Sequence, residues 1–198
     1  NEQLGGRMSV LKKDGFTFDM GPSWYLMPDI FEHFFALLGE RVEDYLDLKK
    51  LAPSYRIFFK NDASQADFYA DVEKNKPAFE AMETGSAAVL DRYLEKARRS
   101  YEISKQWFLY RNYDSVLDFL DKRVAVEGMR LPILRSLHSY VASQFMSEKV
   151  RKVLEYQLVF LGTSPYRAPA LYSLMNHIDF NVGVFYPMGG MGELTRVV

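Results

Sequence analysis

Val10-Leu11-Lys12-Lys13-Asp14-Gly15-Phe16-Thr17-Phe18-Asp19-Met20-Gly21-Pro22 is the stretch on which the fold turns. An Asp-Gly pair tolerates the positive φ that a tight hairpin demands, and here it stands between runs of β-branched and aromatic residues. Residues 8 to 20 are therefore expected to form strand, turn and strand. Gly21-Pro22 ends the second strand. Downstream the period changes: Pro28 opens a helix whose Ile30, Phe31, Phe34, Phe35 and Leu38 share one face before Gly39 stops it.

The same contrast recurs along the chain. Tyr55 to Phe59 and Ala66 to Ala70, separated by the polar residues 60 to 64, read as a second hairpin. From Val72 the pattern is helical, and from Ser86 to about Tyr110 the residues Leu90, Leu94, Ala97, Tyr101 and Phe108 trace one stripe opposite Arg92, Glu95, Arg99 and Glu102. Ser115 to Val126, Ile133 to Phe145 and Ser147 to Leu161 read as three more helices. The last has Ser147 as its N-cap, but Val150 stands where a capping box wants Glu or Gln, so that cap is half formed. Ala168 to His177 reads as a short helix, and Gly183 to Tyr186 as a strand running into Pro187-Met188-Gly189-Gly190-Met191-Gly192. The fold class is α+β, mainly helical with a small antiparallel component.

Composition bounds the function. The chain has 198 residues and 48% hydrophobic content, enough for a substantial core. Lys+Arg number 25 against Asp+Glu 26, so no global field recruits nucleic acid, and none is expected as a partner. There is no cysteine, which removes disulfides, thiolate metal sites and Cys nucleophiles together. His33 and His138 read as packing or surface residues, and no spacing of His, Asp and Glu suggests a metal site. No uncharged run reaches the ~20 residues that a spanning helix needs. Asn1 opens the chain with neither an initiator Met nor a signal-peptide profile, so the sequence is expected to begin inside a longer protein. Aromatic content of 15%, with 15 Phe and 13 Tyr, suggests a large apolar cavity or a membrane-facing surface.

Two glycine clusters are the candidate binding elements. In Gly5-Gly6-Arg7, paired glycines let a backbone approach a phosphate closely and the Arg adds a planar cation. Taken alone, the tripeptide is weak evidence and reads first as a turn carrying a solvated Arg. In Tyr186-Pro187 with Gly189, Gly190 and Gly192 before Glu193-Leu194, glycines lead into a helix start, a geometry that attracts anions; the alternative is a plain strand-to-helix turn. Asp19, His177 and Asp179 flank these clusters and are the candidate proton acceptors, against the alternative that each is a satisfied structural hydrogen bonder.

In combination the motifs are specific. Gly5-Gly6-Arg7, then Asp14-Gly15-Phe16-Thr17-Phe18-Asp19-Met20-Gly21-Pro22-Ser23, then Tyr186-Pro187-Met188-Gly189-Gly190-Met191-Gly192 resemble bacterial-type phytoene desaturases, within the FAD-dependent amine oxidase superfamily. Leu51-Ala52-Pro53-Ser54-Tyr55-Arg56 and Ser164-Pro165-Tyr166-Arg167-Ala168-Pro169-Ala170 resemble the carotenoid branch, so the similarity covers nearly the whole chain.

The resemblance implies a flavin enzyme that binds a long polyene in an apolar tunnel and removes hydrogen from its saturated bonds. Gly5, Gly6 and Arg7 then approach the FAD pyrophosphate, Gly21 and Pro22 lie near the isoalloxazine, and Gly189 and Gly190 return the chain to the cofactor. Residues 1–24 become a partial, Rossmann-like FAD-binding segment, 25–185 a mainly helical substrate domain, and 186–198 a return segment. The G-x-G-x-x-G and acidic residue of such relatives would lie upstream of Asn1, so these 198 residues alone are expected to bind FAD weakly and to be inactive. The expected location is cytoplasmic and peripheral to a membrane, with Gln106 to Tyr113 as the interfacial element; an inter-helix corner is the other reading of that stretch. A carotenoid isomerase, a retinol saturase-like enzyme, an amine oxidase or a non-enzymatic lipid-binding helical module are the rival functions.

Overall fold

A computed structural model describes residues 4–60, 62–115 and 122–198. Among them, three two-stranded antiparallel sheets accompany eight α-helices, an α+β arrangement. Strands β1 (Val10–Lys13) and β2 (Phe16–Asp19) pair from Val10 opposite Asp19 to Lys13 opposite Phe16. The turn between them has positive φ at both Asp14 (53°) and Gly15 (82°), the backbone a two-residue hairpin requires. Helix α1 (Pro28–Leu37) starts on its proline and stops at Gly39, as expected.

Two hydrophobic clusters organise the chain. The smaller gathers Tyr25, Phe35, Val42 and Leu46 with Leu194 of α8 (Gly192–Val197) and Met191 just before that helix. It is closed by β3 (Leu48–Lys50), which pairs antiparallel with β6 (Phe185–Pro187), and by a bridge between Tyr25 and Phe185. The expected boundaries at 24/25 and 185/186 run through this cluster, because α1 packs with the chain ends. Strand β3 had no signal in the sequence: three residues are too few for a period to show.

The larger cluster lies between the second hairpin, β4 (Tyr55–Phe58) with β5 (Gln65–Phe68), and helices α2 (Val72–Met82), α3 (Ser86–Ser104), α5 (Leu137–Ala142) and α6 (Glu148–Glu155). On α3, Leu90, Tyr93, Leu94, Ala97 and Tyr101 are buried while Glu95 pairs outside with Arg98 and Arg99. Phe68 and Phe79 are wholly enclosed, each burial stabilising by roughly 1.5–3 kcal/mol. Buried Asn75 of α2 accepts from the Tyr69 amide and donates to its carbonyl, which ties the end of β5 to the helix.

Several helices are shorter than periodicity implies. The expected helix to Tyr110 passes at Ser104 into a π-helical turn, Lys105–Leu109. Of the expected helix from Ser115 to Val126, residues 116–121 lie outside the described residues; α4 spans Lys122–Met129. The segment before α5 is held extended by a bridge between Ser136 and Pro169, and Ser136 caps the helix through the Ser139 amide. After α6 a 3-10 turn, Tyr156–Leu161, completes the apolar run. Helix α7 is one turn, Leu174–His177, between a 3-10 turn (Ala170–Ser173) and a π-helical turn (Ile178–Val182). The cap of α6 is completed from elsewhere: Ser147 Oγ receives the Val150 amide, and Glu83, at the end of α2, accepts the Ser147 amide at 2.8 Å. That carboxylate fills the role Val150 cannot.

Candidate functional site

The two glycine-rich ends meet. Asp19, last residue of β2, accepts the Met191 amide on Oδ1 at 3.0 Å and faces the Tyr186 hydroxyl at 3.5 Å from Oδ2. Gly190 is buried between them, with φ 101°, and a Cβ there would stand 3.0 Å from Asp19 Oδ1. Only glycine allows this turn to close on the carboxylate. Gly21 is in tighter quarters, since its Cβ would lie 1.8 Å from the Arg7 carbonyl oxygen. Gly5 packs on Thr195 of α8. Gly189 and Pro22 are exposed at the edges of this seam.

An open cleft of about 790 Å³ runs along the seam, lined on one side by Met8, Val10 and Lys12 and on the other by Gly189, Glu193 and Arg196. Gly6 and Arg7 stand in a 3-10 turn, Gly6–Met8, closed by the Met8 amide on the Gly5 carbonyl. Gly6 is exposed and has nothing within 4 Å of where a Cβ would be. Arg7 is exposed and makes no ion pair among the described residues. A bare backbone beside a free guanidinium suits a diphosphate.

His177 and Asp179 stand apart from this seam, inside the helical part. The His177 ring lies 5.5 Å from Tyr101, its Nδ1 is 3.1 Å from the side-chain Nδ2 of Asn181, and burial pushes its pKa down. Asp179 is buried, and its Oδ2 accepts from the Tyr55 hydroxyl, the Tyr156 hydroxyl (3.1 Å) and Gln157 Nε2 (2.7 Å). Burial raises this carboxyl to about 6, the three donors opposing the shift. Gln157 in turn accepts from Asn176, which accepts from the Tyr93 hydroxyl. The structure thus brings Gly5, Gly21, Gly190 and Asp19 together and leaves the other two proton-acceptor candidates in the core.

Sequence reasoning assigned no individual aromatic, yet four form one pile. Trp24 stacks on Tyr55 (5.5 Å) and leans on Phe160 (5.1 Å), and Tyr55 packs on Tyr156 (5.0 Å). Their positions, 24, 55, 156 and 160, share no local period. His33 lies 4.5 Å from the Tyr110 ring, and His138 is 3.1 Å from Glu155. Phe34 and Leu37 of α1, Leu38 just after it, and Leu109 beside Tyr110 are all exposed apolar groups. Within Gln106 to Tyr113, Arg111 covers the Trp107 ring at 4.6 Å. Among the described residues no helix is long and apolar enough to cross a membrane.

Comparison with known proteins gives the class to which these glycine-rich ends belong, that of the flavin containing oxidoreductases. The chain belongs to the flavin containing amine oxidoreductase family, whose model matches residues 1–197. FAD is accordingly the family's cofactor. It is 46% identical over 196 residues to the carotenoid 3,4-desaturase of Haloarcula japonica, covering 98% of this chain and 39% of that protein. It is 35% identical over 196 residues to the 4,4'-diapophytoene desaturase (4,4'-diaponeurosporene-forming) of Staphylococcus haemolyticus, and equally to that of Staphylococcus aureus strain Newman, covering 99% of this chain and 39% of each. The chain therefore spans 39% of the length of these curated relatives.

Proposed function

We propose that this chain supplies the substrate-binding part, with edge segments of the Rossmann-like FAD-binding part, of a carotenoid desaturase acting on a long polyene. The seam carries the reading: two glycine-rich ends, far apart in sequence, meet where Asp19 of the first holds the Met191 amide of the second, which suits both to one shared cofactor. The names of the relatives supply the substrate class. When bound, the flavin supplies the hydride acceptor for the oxidation of an allylic C–H bond. Gly5, Gly6 and Arg7 are assigned to the pyrophosphate, Gly21 and Pro22 to the edge of the isoalloxazine, and Gly189 and Gly190 to the returning chain.

Asp19 holds the Met191 N–H and so the shape of that return; of the three proton-acceptor candidates it is the one at the seam. His177 and Asp179 act from within the helical part. For an uncharged hydrocarbon the binding term is burial, about 25 cal/mol per Å² of apolar surface, and the pile of Trp24, Tyr55, Tyr156 and Phe160 presents such surface. A lipid-soluble substrate also calls for peripheral membrane contact on the cytoplasmic side, for which Leu37, Leu38, Leu109 and Tyr110 are the exposed apolar groups.

The test is reconstitution of the polypeptide that carries this chain with FAD and carotene-loaded liposomes. The expected result is a red shift of the carotene absorption, as conjugated double bonds are added, that requires FAD and weakens in Asp19→Ala. A change of geometry without added double bonds would point to an isomerase, oxidation of amines to an amine oxidase, and lipid binding without flavin to a non-enzymatic module.

A further inference from the structure

Trp24 belongs to neither hydrophobic cluster: it follows Pro22 at the glycine seam, precedes Tyr25 of the smaller cluster, and lays its indole on Tyr55, which packs against the larger one. Ring stacking is weakly directional and does not by itself choose one tilt for such a pile. The hydroxyls do. Both Tyr55 and Tyr156 donate to the same oxygen of Asp179, and Gln157 adds a third donor.

We infer that Asp179 is a positioning residue: its carboxylate, by gathering the Tyr55 and Tyr156 hydroxyls, sets the aromatic pile that holds Trp24 and the glycine seam against the helical core, and protonation releases that setting. A carboxylate offers several lone pairs and no hydrogen, so three donors are satisfied together. A neutral acid adds an O–H of its own. With that proton on Oδ1, Oδ2 is left as the weaker acceptor of a neutral acid, and the three bonds that set the rings loosen together.

The surroundings leave the carboxyl free to switch. Among the described residues no lysine, arginine or histidine offsets the burial that raises it to about 6. Strand β4 presents Tyr55, the 3-10 turn after α6 presents Tyr156 and Gln157, α7 presents Asn176 through Gln157, and α3 presents Tyr93 through Asn176. From α2, Phe79 packs on the neighbouring Phe180. Two other titratable groups lie nearby. His177 faces Tyr101 and the charges of Glu102, Arg98, Glu95 and Lys105, and Glu155, next to Tyr156, is raised by burial against His138.

The consequence for catalysis rests on the desaturase reading, but the test does not, since it needs neither flavin nor substrate. In the 198-residue chain with Trp107→Phe, the one remaining tryptophan is Trp24. Its emission is expected to change between pH 4.5 and 8 with a midpoint near 6. The change should vanish in Asp179→Asn and persist in His177→Gln and Glu155→Gln. In Tyr156→Phe it should persist with a raised midpoint, because the charged form has lost a donor. A flat parent curve, an unaltered curve in Asp179→Asn, or loss of the transition in His177→Gln or Glu155→Gln would overturn the inference. Should Asp179→Asn lose its far-ultraviolet dichroism, the Tyr156→Phe midpoint decides, and an unmoved one overturns it.

Discussion

Replacing Gly21 with alanine puts a methyl group where the Arg7 carbonyl oxygen now is, 1.8 Å from the new Cβ. A carbon and a carbonyl oxygen settle at ~3.3–3.6 Å, so the backbone must open by about 1.5 Å. Neither side is a flexible side-chain end. The opening pulls on the Met20 amide, bonded to the Ser9 carbonyl at 3.0 Å, and on Asp19, which holds the Met191 amide. Overpacking of this kind costs about 1–3 kcal/mol, and one strained or lost hydrogen bond adds ~1 kcal/mol, for roughly 2–4 kcal/mol in all. With a urea slope of roughly 1–3 kcal/mol/M, the denaturation midpoint falls by about 1 M or more. Gly6→Ala is the control: its Cβ meets nothing within 4 Å, and at φ 54° the left-handed backbone costs only ~1–2 kcal/mol. Amide hydrogen exchange separates the two variants. Exchange at Met20 and Met191 should quicken in Gly21→Ala and stay as it was in Gly6→Ala, whereas Gly6→Ala should weaken FAD binding in the polypeptide that carries the chain. An unchanged midpoint and unchanged exchange in Gly21→Ala would mean that the seam does not close as described.

Phe68→Ala, which empties a wholly buried position touching Tyr55, Phe79 and Phe180, should lower stability by ~3–5 kcal/mol in urea denaturation, while Phe58→Ala, 71% exposed on the same hairpin, stays within about 0.5 kcal/mol. The acid limb of stability should carry two opposing signs. The Asp179 carboxyl is raised in the fold to about 6 from an unfolded value of 3.8, so the native state holds the extra proton and its stability falls as pH rises between those values; measured across pH 4 to 7, Asp179→Asn should gain on the parent. His177 is lowered by burial, so its contribution is present above its unfolded value of 6.5 and is lost as pH falls below it; His177→Gln should flatten that loss. Leu37→Asp with Leu109→Asp, at positions 72% and 50% exposed, should shift the chain from the floating to the soluble fraction with anionic vesicles; equal flotation of variant and parent counts against the membrane face.

Legibility in the sequence followed the range of the interaction. The Asp14-Gly15 hairpin, the start of α1 at Pro28 and the stripe of α3 were all readable because each is set by neighbours within a turn or two. Where a partner comes from far away, local reading overran or fell silent. It ran the α5 helix back to Ile133, where a bridge to Pro169 holds the chain extended, and it saw nothing at Leu48–Lys50, whose strand exists through Phe185–Pro187. Of the site, the glycines were legible as types at a spacing. That Asp19, of the three flanking candidates, is the one that holds the Met191 amide, while His177 and Asp179 turn into the core, was not.

From residues alone came the α+β character, the two glycine-rich ends, the missing reciprocal cap at Val150 and the likeness to flavin-dependent desaturases, all of which depend on residue type and short spacing. Tertiary structure decided the meeting of those ends at Asp19, the lending of Glu83 to the cap of α6, and the pile of Trp24, Tyr55, Tyr156 and Phe160 in which the two tyrosines share Asp179. The reason is physical: backbone propensity is set by adjacent residues, whereas steric closure and the pairing of buried polar groups depend on which distant atoms arrive, and only the folded chain specifies those.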